Sequence, residues 1–207
     1  MKKKKSFTLA EVLITLVIIG IIAAITVPVI MANHRKSETT AKLKKFDSTI
    51  QNAIKLAETE WGVPFEEWDV SDMDVNTYGG DGRYFIKYLS KYIKYNKEYS
   101  DYSSNDYPKG CIGLYCVVLD DGMLLSFDYN DITFFIDING EKGPNDGGKD
   151  QFEYMFPDST FYNRVKEYTR EDLIKQCAED PALGWSCSYV LQIYDAWEIK
   201  DDYPIRL

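Results

Sequence analysis

Four consecutive lysines, Lys2 to Lys5, precede a run that is apolar from Val12 to Met31 apart from two threonines and a proline. A helix needs about 20 such residues to cross the roughly 30 Å hydrocarbon core of a bilayer. The run exceeds the roughly 7–15 apolar residues of a secretory signal, and no A-x-A-like cleavage site closes it. The lysines mark the end that the positive-inside bias holds in the cytoplasm. The stretch therefore predicts a single pass with a cytoplasmic N-terminus and an exported bulk. Asn33-His34-Arg35-Lys36 marks the far interface.

Glu11 stands at the mouth of this run, where an ionisable group is costly and usually functional. A structural role is also open. Thr8-Leu9-Ala10-Glu11 has the S/T-x-x-E spacing of a capping box, and a carboxylate in a first turn suits the helix dipole.

Ser6-Phe7-Thr8-Leu9-Ala10-Glu11-Val12-Leu13-Ile14, between a basic leader and an apolar helix, resembles the prepilin signal of type IV pilins and type II secretion pseudopilins. The resemblance implies cleavage between Ser6 and Phe7 by a membrane prepilin peptidase, then N-methylation of Phe7. Glu11 becomes the fifth mature residue, where the family carries its glutamate. Pro28 becomes the twenty-second, where many members have a proline that bends or melts the helix. The residue before the cut is usually Gly and is Ser6 here. The resemblance is strong over the first thirty or so residues and weak beyond.

The chemistry is coherent. A new amine near Glu11, in or near hydrocarbon, is costly alone and is offset by an opposite charge on a neighbouring subunit. Such a pair favours packing with a defined stagger. Pro28 lacks an N–H and clashes with the preceding turn, so it can loosen the helix; an ordinary membrane-helix kink is the alternative.

The 207-residue chain carries net charge −9. Losing Lys2 to Lys5 lowers the basic count from 24 to 20 against 33 acids, so the mature chain is near −13. That balance argues against nucleic acid as a partner, which needs basic patches. It suits a soluble exported domain.

From Glu38, Leu43, Phe46, Ile50, Ile54 and Ala57 recur at helical spacing until Gly62 and Pro64. One helix is expected from about Thr8 to Trp61, broken or softened at Pro28. A loop over 62–82, a second helix from Arg83 to Tyr95 and a surface loop from Asn96 to Gly110 follow. Cys116 to Leu119 and Met123 to Asp128 read as a hairpin about Asp121-Gly122. Thr133 to Ile138 and Phe152 to Phe156 read as further strands. The expectation is an α+β fold with a long N-terminal helix, membrane-spanning in its first half, packed on a small antiparallel sheet. Pilins and pseudopilins are built this way. A short helix from Arg170 to Ala178, a turn from Pro181 to Gly184 and an apolar run from Tyr189 to Ile199 complete the tail. Trp185, Tyr189, Trp197 and Tyr203 read as packing residues.

In the loop from Asp137 to Asp150, Asp137, Asn139 and Glu141 alternate as oxygen ligands do in calcium loops. The EF-hand template fails, because its sixth position is Lys142 and its twelfth Gly148. Asn-Gly, Gly-Pro and Gly-Gly also make turns without a metal. No cofactor is required, and calcium is the one this loop leaves open.

Cys111, Cys116, Cys177 and Cys187 all lie beyond the anchor, where export favours disulfides. Four cysteines allow three connectivities; the sequential one is the expectation. A Cys177–Cys187 clamp resembles the paired C-terminal loop of pilins. Zinc is discounted, because neither spacing matches a finger and the sole histidine, His34, lies by the membrane. That histidine also excludes Ser-His-Asp and Cys-His machinery in the exported domain.

The expected organisation is a leader over 1–6, a transmembrane and filament-core helix over 7–32, an amphipathic continuation over 33–61 and an exported globular domain over 62–207. The expected protein is no enzyme. It is a structural subunit of a type IV pilus or a type II secretion pseudopilus, held in the bacterial inner membrane before assembly. Its partners are that membrane, the prepilin peptidase and other subunits. Two alternatives stay open: a membrane-anchored binding module that does not polymerise, and a minor pilin of a DNA-uptake apparatus.

Overall fold

The computed structural model describes residues 8–73, 82–100, 103–127, 133–157, 159–179, 185–205 and 207. The Ser6–Phe7 junction, Asp128, the turn expected at 181–184 and parts of both expected loops lie outside them.

Helix α1 runs from Leu9 to Trp61, 53 residues, or about 80 Å at 1.5 Å per residue. It starts at Thr8, whose extended backbone and side chain cap the first turn. It stops at Gly62, which takes the left-handed conformation at φ 71° and donates its N–H to the Glu58 carbonyl. In its second half Thr39, Leu43, Phe46, Ile50, Ala53 and Ala57 form one buried stripe. The expected break at Pro28 does not occur. The helix is continuous through it, because the ring removes only one N–H, the partner of the Ala24 carbonyl.

The stripe lies on a five-stranded antiparallel meander in the order β1 to β5: Tyr95–Tyr99, Tyr115–Leu119, Leu124–Phe127, Thr133–Asp137 and Gln151–Met155. Register aligns two rows of large side chains towards α1. One is Tyr115, Phe127, Phe134 and Tyr154; the other is Val117, Leu125, Ile136 and Phe152. The opposite face is covered as well, so β2 to β5 are buried on both sides and read as nearly continuous apolar runs. Gly122, at φ 85°, makes the β2–β3 turn.

Two sequence expectations are corrected. Arg83 to Tyr95 is not one helix: a single wide turn, Phe85–Leu89, ends at Ser90 and the chain enters β1. The helical spacing there serves a short cap, which buries Phe85, Tyr88 and Leu89 over the far end of α1. The expected 96–110 loop instead begins with β1, an edge strand whose charged, half-exposed YNKEY hides its strand character.

Helices α2 (Thr160–Val165), α3 (Arg170–Glu179) and α4 (Trp185–Tyr189, continuing as a wide turn over Val190–Tyr194) lie on the second face. Met155, Val165, Leu173 and Val190 form a small core there. The open edge of β5 is closed by side chains. Glu153 donates its N–H to Ser188 Oγ at 2.9 Å, and Gln192 both accepts from the Met155 N–H and donates to the Met155 carbonyl. The apolar run from Tyr189 to Ile199 is therefore helix and turn.

The disulfides join Cys111 to Cys116 and Cys177 to Cys187. The first fastens the segment before β2 to that strand. The second fastens α3 to α4 with Cα atoms 4.8 Å apart.

Candidate functional site

The first turn of α1 is a complete capping box. The Glu11 N–H donates to Thr8 Oγ1 at 3.3 Å, and the Thr8 N–H and hydroxyl both donate to Glu11 Oε2 at 2.8 Å. Glu11 thus has its Oε2 engaged by its own chain, at an exposed end of the helix. Such a carboxylate can cap its helix and also receive a cation from a neighbour.

Behind it, every residue from Leu9 to Met31 is exposed. Leu9 is 79% exposed and Ile25 67%. Bare apolar surface of this extent in water would be strongly unfavourable, so lipid or another helix must cover it. The two threonines in the run are already adapted to hydrocarbon: Thr15 donates its hydroxyl to the Val12 carbonyl at 2.8 Å and Thr26 to the Ile22 carbonyl at 2.9 Å. The helix is long and apolar enough to cross a membrane.

The other candidate is the loop from Asp137 to Asp150. Asp137 is 1% exposed. Its Oδ1 accepts from the Asn139 N–H at 3.1 Å and its Oδ2 from Gln151 Nε2 at 3.3 Å. Asp150 closes the loop by accepting from Asn139 Nδ2, the Asn145 N–H and the Asp146 N–H at 3.0, 2.9 and 2.7 Å. Burial pushes the Asp137 carboxyl up to about 7; hydrogen bonds from Asn139, Gln151 and Gly140 oppose this, while the Asp150 charge adds to it. The structure brings Asp137 and Asn139 together but leaves Glu141 exposed and apart. Among the described residues no group of three or more His, Cys, Asp and Glu side chains could hold a metal. The Asp137 and Asp150 carboxylates are occupied with folding the loop. Asp150, the residue that organises it, carried no signal in the sequence beyond its position at the loop's end.

Residues 29–207 match the model of a family of unknown function (DUF6613). The chain belongs to that family. Its residues 1–27 match the prokaryotic N-terminal methylation motif. The N-terminus is therefore a prepilin-type signal, and the family member is a type IV pilin-like or pseudopilin-type subunit, a structural kind of protein. Neither the curated proteins nor the solved structures give a match. The motif ends one residue before Pro28, and the family match takes up the rest of α1 and the whole sheet. Signal and long apolar helix together fit anchoring in the inner membrane.

Proposed function

We propose that the chain is a filament subunit of a type IV pilus or a type II secretion pseudopilus. It is stored in the inner membrane with Lys2 to Lys5 in the cytoplasm and the domain from residue 62 onward exported. Prepilin peptidase cuts between Ser6 and Phe7, Phe7 is N-methylated, and residues 7–32 become the filament core. The observation that carries this reading is the wholly exposed apolar length of α1, most of which lies within the match to the methylation motif. Lipid covers that surface in the stored state and neighbouring helices cover it after assembly. Glu11 then exchanges part of its bond to Thr8 for the Phe7 amine of a neighbour, and Pro28 supplies the local slack that close helix packing needs. The protein works by packing and one charge pair, without turnover.

The completeness of the Thr8–Glu11 box favours a second reading, an anchored module that never polymerises and in which Glu11 only caps its helix. Glu11→Ala separates the two. Loss of filaments with membrane insertion intact supports the subunit; unchanged behaviour beyond a small loss of helix stability supports the anchored module.

A further inference from the structure

Three segments far apart in sequence meet at the base of the domain, where α1 leaves its apolar run. They are α1 from Arg35 to Lys45, the β4–β5 loop and the C-terminal tail. Lys42 donates to the Ile138 carbonyl at 3.0 Å, and Lys36 pairs with Asp201 at 2.6 Å. Two clefts open there. One brings Arg35, Lys42, Lys142 and Lys149 together with Glu38 and Asp150, and Lys149 pairs with Asp146 at 2.7 Å. Asp150 is 3% exposed and turned to its own loop, and Glu38 pairs with Lys42 at 3.0 Å. Arg35 and Lys142 are exposed and have no ion-pair partner among the described residues. The other cleft runs between Pro28 and Val29 of the apolar run and Ile199 and Ile205 of the tail, with Lys36, Lys200 and Asp201 also lining it.

Arg35 lies four residues past Met31, about 6 Å along the helix axis, so the cationic cleft stands at headgroup height when the apolar run fills the bilayer. The second cleft reaches below it, to the level of Val29. Two unpaired cations at that height, with apolar side chains beneath, are a local exception on a chain of net charge −9. Cations so close to the exported end also work against the N-in orientation, a cost that a use for them outside accounts for.

We propose that this base is a docking surface for anionic phospholipid headgroups of the membrane that the chain's own helix spans. Arg35 and Lys142 face the phosphates, with the paired Lys42 and Lys149 beside them, and the Pro28–Ile205 cleft receives the upper acyl chain. The stored subunit is thereby seated on the bilayer and not free to swing about residues 32–36. Extraction into a filament exchanges those headgroups for neighbouring subunits. The inference rests on the membrane-stored reading above.

The test uses the full chain, disulfides intact, with a fluorophore on Glu141→Cys. It is reconstituted in vesicles of phosphatidylcholine alone or of equal parts phosphatidylcholine and phosphatidylglycerol, each with a headgroup-attached quencher lipid. Quenching is expected to be greater in the phosphatidylglycerol vesicles and to fall with salt. Arg35→Gln and Lys142→Gln, which break no pair in the fold, should each shift the docked-to-undocked ratio about fivefold, as expected for a cation at an anionic surface. Equal quenching in both lipids, in a chain that floats with both, overturns the inference and leaves membrane storage standing. Quenching that follows protein density and not lipid composition also overturns it and assigns the base to a second copy. A chain that floats with neither lipid overturns the storage reading and this inference with it.

Discussion

Phe46 of α1 and Tyr154 of β5 meet edge to face, their ring centroids 5.5 Å apart and their planes at 89°. Both are almost completely buried, and Trp197 of the tail stacks on the far side of Tyr154 at 5.9 Å. This one contact joins the membrane helix, the last strand and the C-terminal segment.

Phe46→Ala should therefore cost about 3–5 kcal/mol, the range for a fully buried aromatic that leaves a cavity. Denaturant unfolding of the full chain in detergent, followed by tryptophan fluorescence, measures it. Leu56→Ala, on the exposed side of the same helix, should change stability by less than about 0.5 kcal/mol.

The Asp137 carboxyl makes stability fall as pH rises. Its folded pKa, about 7, lies above the ordinary carboxylate value, so between these the folded state binds a proton that the unfolded state has lost. The stabilisation is fully present below about pH 4 and is lost as pH rises through 7. Asp137→Asn keeps an oxygen for the Asn139 N–H and cannot ionise. Relative to that variant, the natural chain should lose about 2 kcal/mol between pH 5 and pH 7. A parallel pair of stability curves over that window would show that Asp137 titrates normally.

Much of the architecture was legible. The Thr8 cap, the Gly62 stop and the buried stripe of α1 follow from residues whose local chemistry leaves few choices, and the Asp121-Gly122 turn forms for the same reason. β1 was hidden because an edge strand needs no apolar alternation, and Tyr95–Tyr99 shows none. The wide turns Phe85–Leu89 and Val190–Tyr194 were hidden because their ends are set by packing and not by a breaker residue. At the base of the domain, Arg35 and Lys142 are over a hundred residues apart in sequence, so only the fold reveals that they share a cleft. Ser188 and Gln192 likewise gain their role from the neighbouring strand edge alone.

The two disulfides should differ in worth. Linking Cys177 to Cys187, ten positions apart, restricts the unfolded chain more than linking Cys111 to Cys116, five apart. Loop entropy alone gives about 3 and about 2 kcal/mol. The paired Ser substitution at 177 and 187 also leaves two buried hydroxyls, so it should be clearly the more damaging of the two paired variants in thermal unfolding.

The most direct test of the central claim is the intact mass and N-terminal sequence of the protein recovered from its native membrane. The account predicts a chain that begins at Phe7 and carries one additional methyl group. A chain that still begins with Met1 and the lysines would contradict processing at Ser6–Phe7, and with it the assembly of α1 into a filament.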